Sequence, residues 1–428
     1  MTAPTTPTGD RCPGALRLHH AADGDLARIR IPGGLLTPQA TRTLAHLATT
    51  LGDGHIRLTA RGNAEIRGIP TGSETDIATC LTTAGLLPSP AHERIRNIVT
   101  TPTAGLDEHG NTTGTTLTNL LHTLDNALIS DPELAQLSGR FLFGIDDGRG
   151  DTLALEPDLA LTANNNDHWT ITAAGTPLGV THRTNAPTAL TLAAHTHLAT
   201  AHTHNQRGWR LTDHPNTPAL IANIRNTISH LLTHHTPHTP APHTTPPPLG
   251  LIPHPTNTTC TIATRLPLAA APAETWQHFA DLAEHGDNLI RTSPARTILI
   301  ANLTHHHATT ALTHLSTLGL ISDPHAPLAH VTTCTGLPGC TSALADVQYA
   351  AVTHHTPSNN NTPVHWSACP RRCGRPTTNH VQVLATETGW TTALVNTDTP
   401  GHPATNQHPV TDENLTTDIT NRRQEITP

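Results

Sequence analysis

The chain has 428 residues, of which 35% are hydrophobic and 2% aromatic, and its formal net charge is −8. The length allows two or three domains around a sizeable core, and the negative balance excludes a global role on nucleic acid or an anionic membrane. With no run of 18 apolar residues and a polar Pro/Thr-rich start in place of a signal peptide, the expected location is cytoplasmic.

Residues 1–10 are expected to be disordered. Strand-like Ala15–His20 and Leu26–Ile31 then bracket the turn Ala22-Asp23-Gly24-Asp25. Thr37-Pro38 reads as an N-cap with proline at the first helical position, and Leu44, Leu47 and Leu51 follow at helical spacing up to Gly52. One strand, Ile56–Ile69, and a second helix marked by Ile77, Cys80, Leu81 and Ala84 and ended by Gly85 complete a first unit.

That unit recurs. Arg30-Ile31-Pro32 resembles Arg265-Leu266-Pro267, and a constant offset of 234 separates Gly52 from Gly286, Ile56 from Ile290 and Gly85 from Gly319. Trp276, Phe279 and Ala283 face inward in the second copy of the helix. So large an offset means two related α+β halves rather than a solenoid. Between them, Phe141–Ile145, Thr152–Leu155, Trp169–Thr172 and Leu178–Val180 read as short strands and Pro218–Leu232 as a helix. His234–Pro248 is a stiff Pro-rich linker, and the stretch from Asp398 is a loose polar tail with at most one weak helix.

Four of the seven cysteines are grouped, as Cys334-Thr-Gly-Leu-Pro-Gly-Cys340 and Cys369-Pro-Arg-Arg-Cys373. In a long chain without export signals this reads as a metal centre rather than a disulfide framework. Four thiolates suit a [4Fe–4S] cluster, and the five residues between the first pair disfavour zinc, which takes tighter spacing. At the repeat offset Cys334 falls opposite Thr100 and Cys340 opposite Leu106, so the ligands were added to one half of a duplicated scaffold. Cys80 and Cys260 read as small buried residues, while Cys12 stays open. With 34 histidines, runs such as His305-His306-His307 follow from composition and carry little weight as ligands. The acidic run Asp146-Asp147-Asp151 reads equally as carboxylate ligands for a second iron or as an Asp/Gly turn.

Cys-x₅-Cys followed by Cys-x₃-Cys in the second of two related halves resembles the sirohaem-type nitrite and sulfite reductases. More closely, Cys334 to Asp346, His365-Trp366-Ser367-Ala368-Cys369, Cys12-Pro13-Gly14-Ala15-Leu16-Arg17 and Asp146-Asp147-Gly148-Arg149-Gly150-Asp151 resemble the precorrin-3B synthases of that superfamily. The resemblance implies an α+β fold with two pseudo-twofold-related ferredoxin-like halves and a central strand-rich nitrite/sulfite-reductase-like domain. It implies a [4Fe–4S] cluster on Cys334, Cys340, Cys369 and Cys373, and tetrapyrrole carboxylates held by Arg61, Arg57, Arg96 and Arg140, with Arg296, which lies beside the motif stretches, as a further candidate. Arginine suits that task, since its planar guanidinium binds a carboxylate through two parallel hydrogen bonds. Where the reductases carry two lysines one residue apart, this chain has Arg140 and Leu142, and the lost cation favours a different substrate on the same face.

The implied activity is a precorrin-3B synthase-like monooxygenase. It would take precorrin-3A and O₂, with electrons from an unidentified donor and a mononuclear non-haem iron to activate oxygen. The alternatives are a sirohaem-dependent nitrite or sulfite reductase and a non-catalytic iron–sulfur or zinc protein. The expected divisions are 1–10, a first ferredoxin-like half at 11–90, a central domain at 91–233, the linker at 234–250, a second half at 251–325, the cluster-binding region at 326–397 and the tail at 398–428.

Overall fold

Thr37 opens the first helix, Pro38–Thr50, as its residue type dictates: the hydroxyl accepts from the Ala40 amide at 3.1 Å, and Pro38 sits in the first turn. Leu44, Leu47 and Ala48 bury the apolar face of this helix, which packs against the second copy's helix Ala273–Glu284. The partner helix contributes Trp276, Phe279 and Ala283. The structure, a computed structural model, describes residues 10, 12–203, 209–242, 246–254, 258–355, 362–376, 378–396 and 404–425, without the side chains of 404–406.

The fold is α+β, and the repeat at offset 234 is a repeat of structure. Strands His55–Leu58 and Ala64–Ile69 correspond to Ile290–Thr292 and Thr297–Leu303, and the helix Glu74–Thr83 corresponds to His305–Thr317. The two halves exchange strands. Ala270–Pro272 pairs with His55–Leu58 in the first sheet, and Leu35–Leu36 pairs with Ile290–Thr292 in the second. Each five-stranded sheet is therefore completed by the other half, which covers an edge that would otherwise be open. One apolar core containing Leu44, Ile56, Trp276 and Ile290 runs through both.

A second pair of units repeats as well. In the central sheet, Ile98–Thr100, Phe143–Asp146 and Leu159–Ala163 run parallel, and His168–Ala173 and Thr176–His182 follow antiparallel. The cysteine-bearing sheet has the same order. Val331–Thr333, Val364–Ser367 and His380–Thr386 run parallel, then Gly389–Val395 and Ala404–Val410 antiparallel. The helix Ala186–Thr203 after the fifth central strand has its counterpart in Asp412–Glu425.

Several expectations from the sequence are corrected. The strand expected over 15–20 is only His19–Ala21, because the Ala15 and Leu16 amides donate to the Glu93 carboxylate instead of to a neighbouring strand. The single strand expected over 56–69 breaks into a hairpin at Thr59-Ala60-Arg61-Gly62-Asn63, where Gly62 takes a φ of 70° that favours glycine. Residues 152–155 are not a strand, since Asp146 captures both the amide and the hydroxyl of Thr152, and the strand starts at Leu159. The helices Gly114–Ile129 and Ala186–Thr203 were not anticipated.

Of the residues expected to be disordered, only Asp10 lies among those described, and it is buried, accepting from Ser138 and Gly139 at 2.9 Å. The linker, apart from 243–245 outside the described residues, lies along the central unit: the Thr236 carbonyl accepts from Asn164 and the His238 amide donates to Thr170. The tail is not loose over its described part. Its strand extends the cysteine-bearing sheet and its helix buries Leu415 and Ile419, while 398–403 and 426–428 lie outside the described residues. Leu415→Ala should therefore cost ~2–4 kcal/mol in urea unfolding; a loose tail would show no change.

Candidate functional site

Both cysteine pairs stand where parallel strands end. Cys334 follows Val331–Thr333, and Cys369 follows Val364–Ser367 through Ala368. The Cys334 amide donates to the Trp366 carbonyl at 2.9 Å, and the Ala368 amide donates to Cys334 Sγ at 3.2 Å, so the two loops are stitched together. Cys369 is buried, Cys334 and Cys340 are half-buried, Cys373 is exposed, and all four thiols are free. Burial pushes the Cys334 thiol up, hydrogen bonds from Ala368 and Gly336 oppose this, and the nearby Cys373 and Cys369 push it further. The Cys334, Cys369 and Cys373 thiols thus lie within electrostatic reach of one another, where a cation would let them ionise.

A zinc ion with Zn–S of about 2.3 Å gathers its thiolates about 3.8 Å apart. Among the described residues no three cysteine sulfurs lie within 4.8 Å of one another. The arrangement is therefore not the tight one of a closed zinc site. The first half reaches this loop directly. Arg67 pairs with Asp23 at 2.8 and 2.9 Å and donates to the Gly339 carbonyl at 2.6 Å, an approach that a Cβ at Gly339, 2.9 Å from Arg67 Nη2, would obstruct. Behind the second pair, burial pushes the His365 imidazole down to about 3 and keeps it neutral.

In the central unit the corresponding loops are closed differently. Asp146, at the end of Phe143–Asp146, accepts from the amides of Gly148, Gly150 and Thr152 and from the Thr152 hydroxyl at 2.8–3.0 Å. Arg149 then bridges Asp147 at 2.7 Å, Asp107 at 2.9 Å and the Thr103 hydroxyl at 2.7 Å. The carboxylate oxygens of Asp146, Asp147 and Asp151 lie within 4.8 Å of one another, but those of Asp146 and Asp147 are already engaged in this staple.

The five arginines expected at the tetrapyrrole fall into two sets. Arg57 forms an ion pair with Asp53 at 2.6 Å, repeated at offset 234 by Arg291 and Asp287 at 2.5 Å. Arg96 is buried in a bidentate pair with Asp125 at 2.7 and 2.9 Å. Both guanidiniums already have a carboxylate partner, Arg57 in an exposed pair and Arg96 in a buried one, which leaves them less available for the substrate contacts expected of them. Arg140 lies over the Trp209 ring at 4.3 Å from its centroid. Leu142 is 1% exposed, inside the central unit.

Arg61 and Arg296 differ from these: neither guanidinium has a hydrogen bond or ion pair among the described residues. They occupy equivalent turns, with Gly62 N donating to Thr59 O at 3.0 Å and Arg296 N to Ser293 O at 2.9 Å. The turns touch, since the Thr292 hydroxyl donates to the Gly62 carbonyl at 2.6 Å. Burial lowers both pKa values, and the Arg210 charge lowers that of Arg61 further.

Sequence reasoning missed a further equivalent pair, Arg30 and Arg265. Burial lowers each to about 10, and each donates to the backbone of the adjoining unit: Arg30 to Arg94 O and Gly139 O, Arg265 to Ala329 O. The repeated Arg-x-Pro triplets were the available signal. Cys260 is buried and Cys80 and Cys12 are half-buried.

Residues 19–78 match the Nitrite/Sulfite reductase ferredoxin-like half domain. A ferredoxin–nitrite reductase of Leptolyngbya laminosa is 37% identical over 84 residues, covering 19% of this chain and 16% of that protein. One of Synechococcus elongatus is 31% identical over 141 residues, covering 32% and 28%. The chain thus spans less than a third of the length of either relative in these matches. The structure of the Mycobacterium tuberculosis NirA protein superposes with a TM-score of 0.72 at 18% identity, over 94% of this chain and 80% of that one. The fold is therefore that of a NirA-like nitrite/sulfite reductase. Among the described residues no helix is long and apolar enough to cross a membrane.

Arg149→Met should cost the central unit ~3 kcal/mol in denaturant unfolding, because it leaves the buried Asp147 unpaired. Asp151 supplies a pH test. Burial, and next the Asp146 charge, raise its pKa from 3.8 to about 7. The folded chain then binds the proton more tightly than the unfolded one, so stability falls as pH rises from about 4 to 7. Asp151→Asn should be more stable than wild type by ~1–3 kcal/mol at pH 8, with the difference vanishing near pH 4.

Proposed function

We propose that the chain is an oxidoreductase that couples a [4Fe–4S] cluster on Cys334, Cys340, Cys369 and Cys373 to an anionic tetrapyrrole gripped by Arg61 and Arg296. The observation that carries this reading is the pair of open guanidiniums on equivalent, touching turns of the two halves. A macrocycle with carboxylates around its rim needs cations from more than one direction, and a desolvated arginine gains most from a bidentate carboxylate. When bound, the cluster supplies single electrons. The chain's own residues hold the two groups in place: Arg67 clamps the first cysteine loop from the first half, and Arg265 ties the second half to the cysteine-bearing unit through the Ala329 carbonyl.

The names of the relatives and the NirA-like fold favour a reductive activity, with sirohaem as the tetrapyrrole and nitrite or sulfite as the electron acceptor. One observation favours the second reading, oxygen-dependent conversion of precorrin-3A to precorrin-3B: the third basic stretch offers no pair of cations, because Leu142 is buried and Arg140 stacks on Trp209. The mononuclear iron of that reading finds no open ligand set in the acidic trio, since Asp146 and Asp147 are engaged.

Anaerobically reconstituted protein decides between the two. The reductive reading predicts sirohaem absorption bands and consumption of nitrite or sulfite with a reduced viologen; the second predicts ¹⁸O from ¹⁸O₂ in the product of precorrin-3A. Neither result would refute both. Arg61→Gln and Arg296→Gln should each weaken tetrapyrrole binding about 10- to 100-fold, with Arg57→Gln within about twofold of wild type. Equal affinities in all three variants would remove the grip assigned to the turns.

A further inference from the structure

The cysteine-bearing sheet has one apolar and one polar face. Val364, Trp366, Val381 and Val383 pack into its core, and the alternate residues Thr332, His365, Ser367 and Gln382 project to the other side. His365, Ser367 and Gln382 are at most 3% exposed. Each has a side-chain atom without a hydrogen-bond partner among the described residues: His365 Nε2, Ser367 Oγ and Gln382 Nε2. Buried polar atoms of this kind are uncommon in folded proteins. Here three stand together, His365 directly opposite Gln382 across the strands and two residues from Ser367.

The direction of the imidazole is defined at both ends. Nδ1 lies 2.8 Å from Thr332 Oγ1, whereas the other acceptor open to that hydroxyl, the Val364 carbonyl, is at 3.5 Å. Taking the 2.8 Å contact as donation from the Thr332 hydroxyl to Nδ1 places the neutral ring's own proton on Nε2. At the far edge, Cε1 lies 3.9 Å from where a Cβ on Gly374 would stand, and the Cys373 backbone lies near enough for a weak hydrogen bond with the ring, outside the geometry that would satisfy Nε2. One side chain thus joins the strand that ends at Cys334, the strand that ends at Cys369, and the turn that carries Cys373.

We infer that His365 is a positioning residue for the metal centre, with Nε2–H donating to a ligating sulfur at the Cys373 turn. The inference rests on the cluster assignment proposed above. An N–H donor to a cluster sulfur holds the thiolate in place and favours the reduced, more negative state.

The test compares the reconstituted wild-type chain with His365→Gln, His365→Leu and Thr332→Val, by redox titration followed by electron paramagnetic resonance and by the rate of iron loss to a chelator. Glutamine keeps an N–H donor and should retain the wild-type midpoint. Leucine should disfavour reduction about tenfold, about 59 mV for one electron, and lose iron several-fold faster. Thr332→Val keeps the imidazole but releases the proton between its nitrogens, so its midpoint should shift the same way by less; it decides the matter if the leucine variant does not fold. A leucine variant whose apo form melts like wild type yet takes up no iron also supports the inference. Unchanged midpoints in His365→Leu and Thr332→Val, or in Thr332→Val alone where leucine does not fold, overturn it and leave the cluster assignment standing. A glutamine variant that behaves like leucine overturns it in favour of shape alone. A wild-type chain that takes up no [4Fe–4S] cluster overturns both.

Discussion

Loops that leave adjacent parallel strands emerge at the same end of the sheet, where no backbone ladder holds them together. The rest of this structure depends on how those two loops are tied. In the central unit the tie is made of side chains: Asp146 gathers the amides of its own loop, and Arg149 reaches across to Asp107 and Thr103. In the cysteine-bearing unit, which repeats the same strand order, no such staple spans the corresponding loops among the described residues, and those loops carry the four free cysteines instead. A duplicated scaffold can fix one copy with charge and leave the other to be fixed by a metal centre, which adds redox chemistry without a change of fold.

The exchange of strands between the halves sets the geometry of the two turns proposed to grip an anion. Because Leu35–Leu36 and Ala270–Pro272 each complete the other half's sheet, the turns at 59–63 and 293–297 are brought into contact. The first copy puts glycine at the left-handed position and arginine just before it. The second puts Arg296 itself there, at a φ of 61°, which costs about 1 kcal/mol in a non-glycine residue. A strained, partly buried arginine without an ion pair is poorly explained by stability, and is better explained by a ligand that completes it. Arg57 and Arg291, by contrast, repeat one ion pair at one offset and belong to the scaffold.

The sequence made the duplication legible because glycine and proline punctuate both copies at a constant spacing, and it made the cysteine centre legible because four thiols cluster in a chain with few others. It did not reveal that Arg57 and Arg96 are engaged, since their partners Asp53 and Asp125 are four and 29 residues away and carry no motif. The helices Gly114–Ile129 and Ala186–Thr203 carry several threonines, weak helix formers, yet Leu117, Leu120, Leu121, Leu124 and Leu128 stand at helical spacing in the first, a signal the sequence did offer. The tail read as loose for a similar reason. Leu415 and Ile419 stand at helical spacing, but the surrounding Thr, Asp, Asn and Arg hide a helix that is the counterpart of Ala186–Thr203. The role inferred for His365 was lost among 34 histidines, and its burial and its unsatisfied Nε2 are what drew attention to it.

The claim on which this account stands is that the four grouped cysteines hold an iron–sulfur cube. Metal and acid-labile sulfide analysis of the anaerobically purified and reconstituted chain tests it most directly, with electron paramagnetic resonance of the reduced sample. The account predicts about four iron atoms and four sulfides per chain and a signal of one unpaired electron on reduction. One zinc ion per chain, with no sulfide, would contradict it.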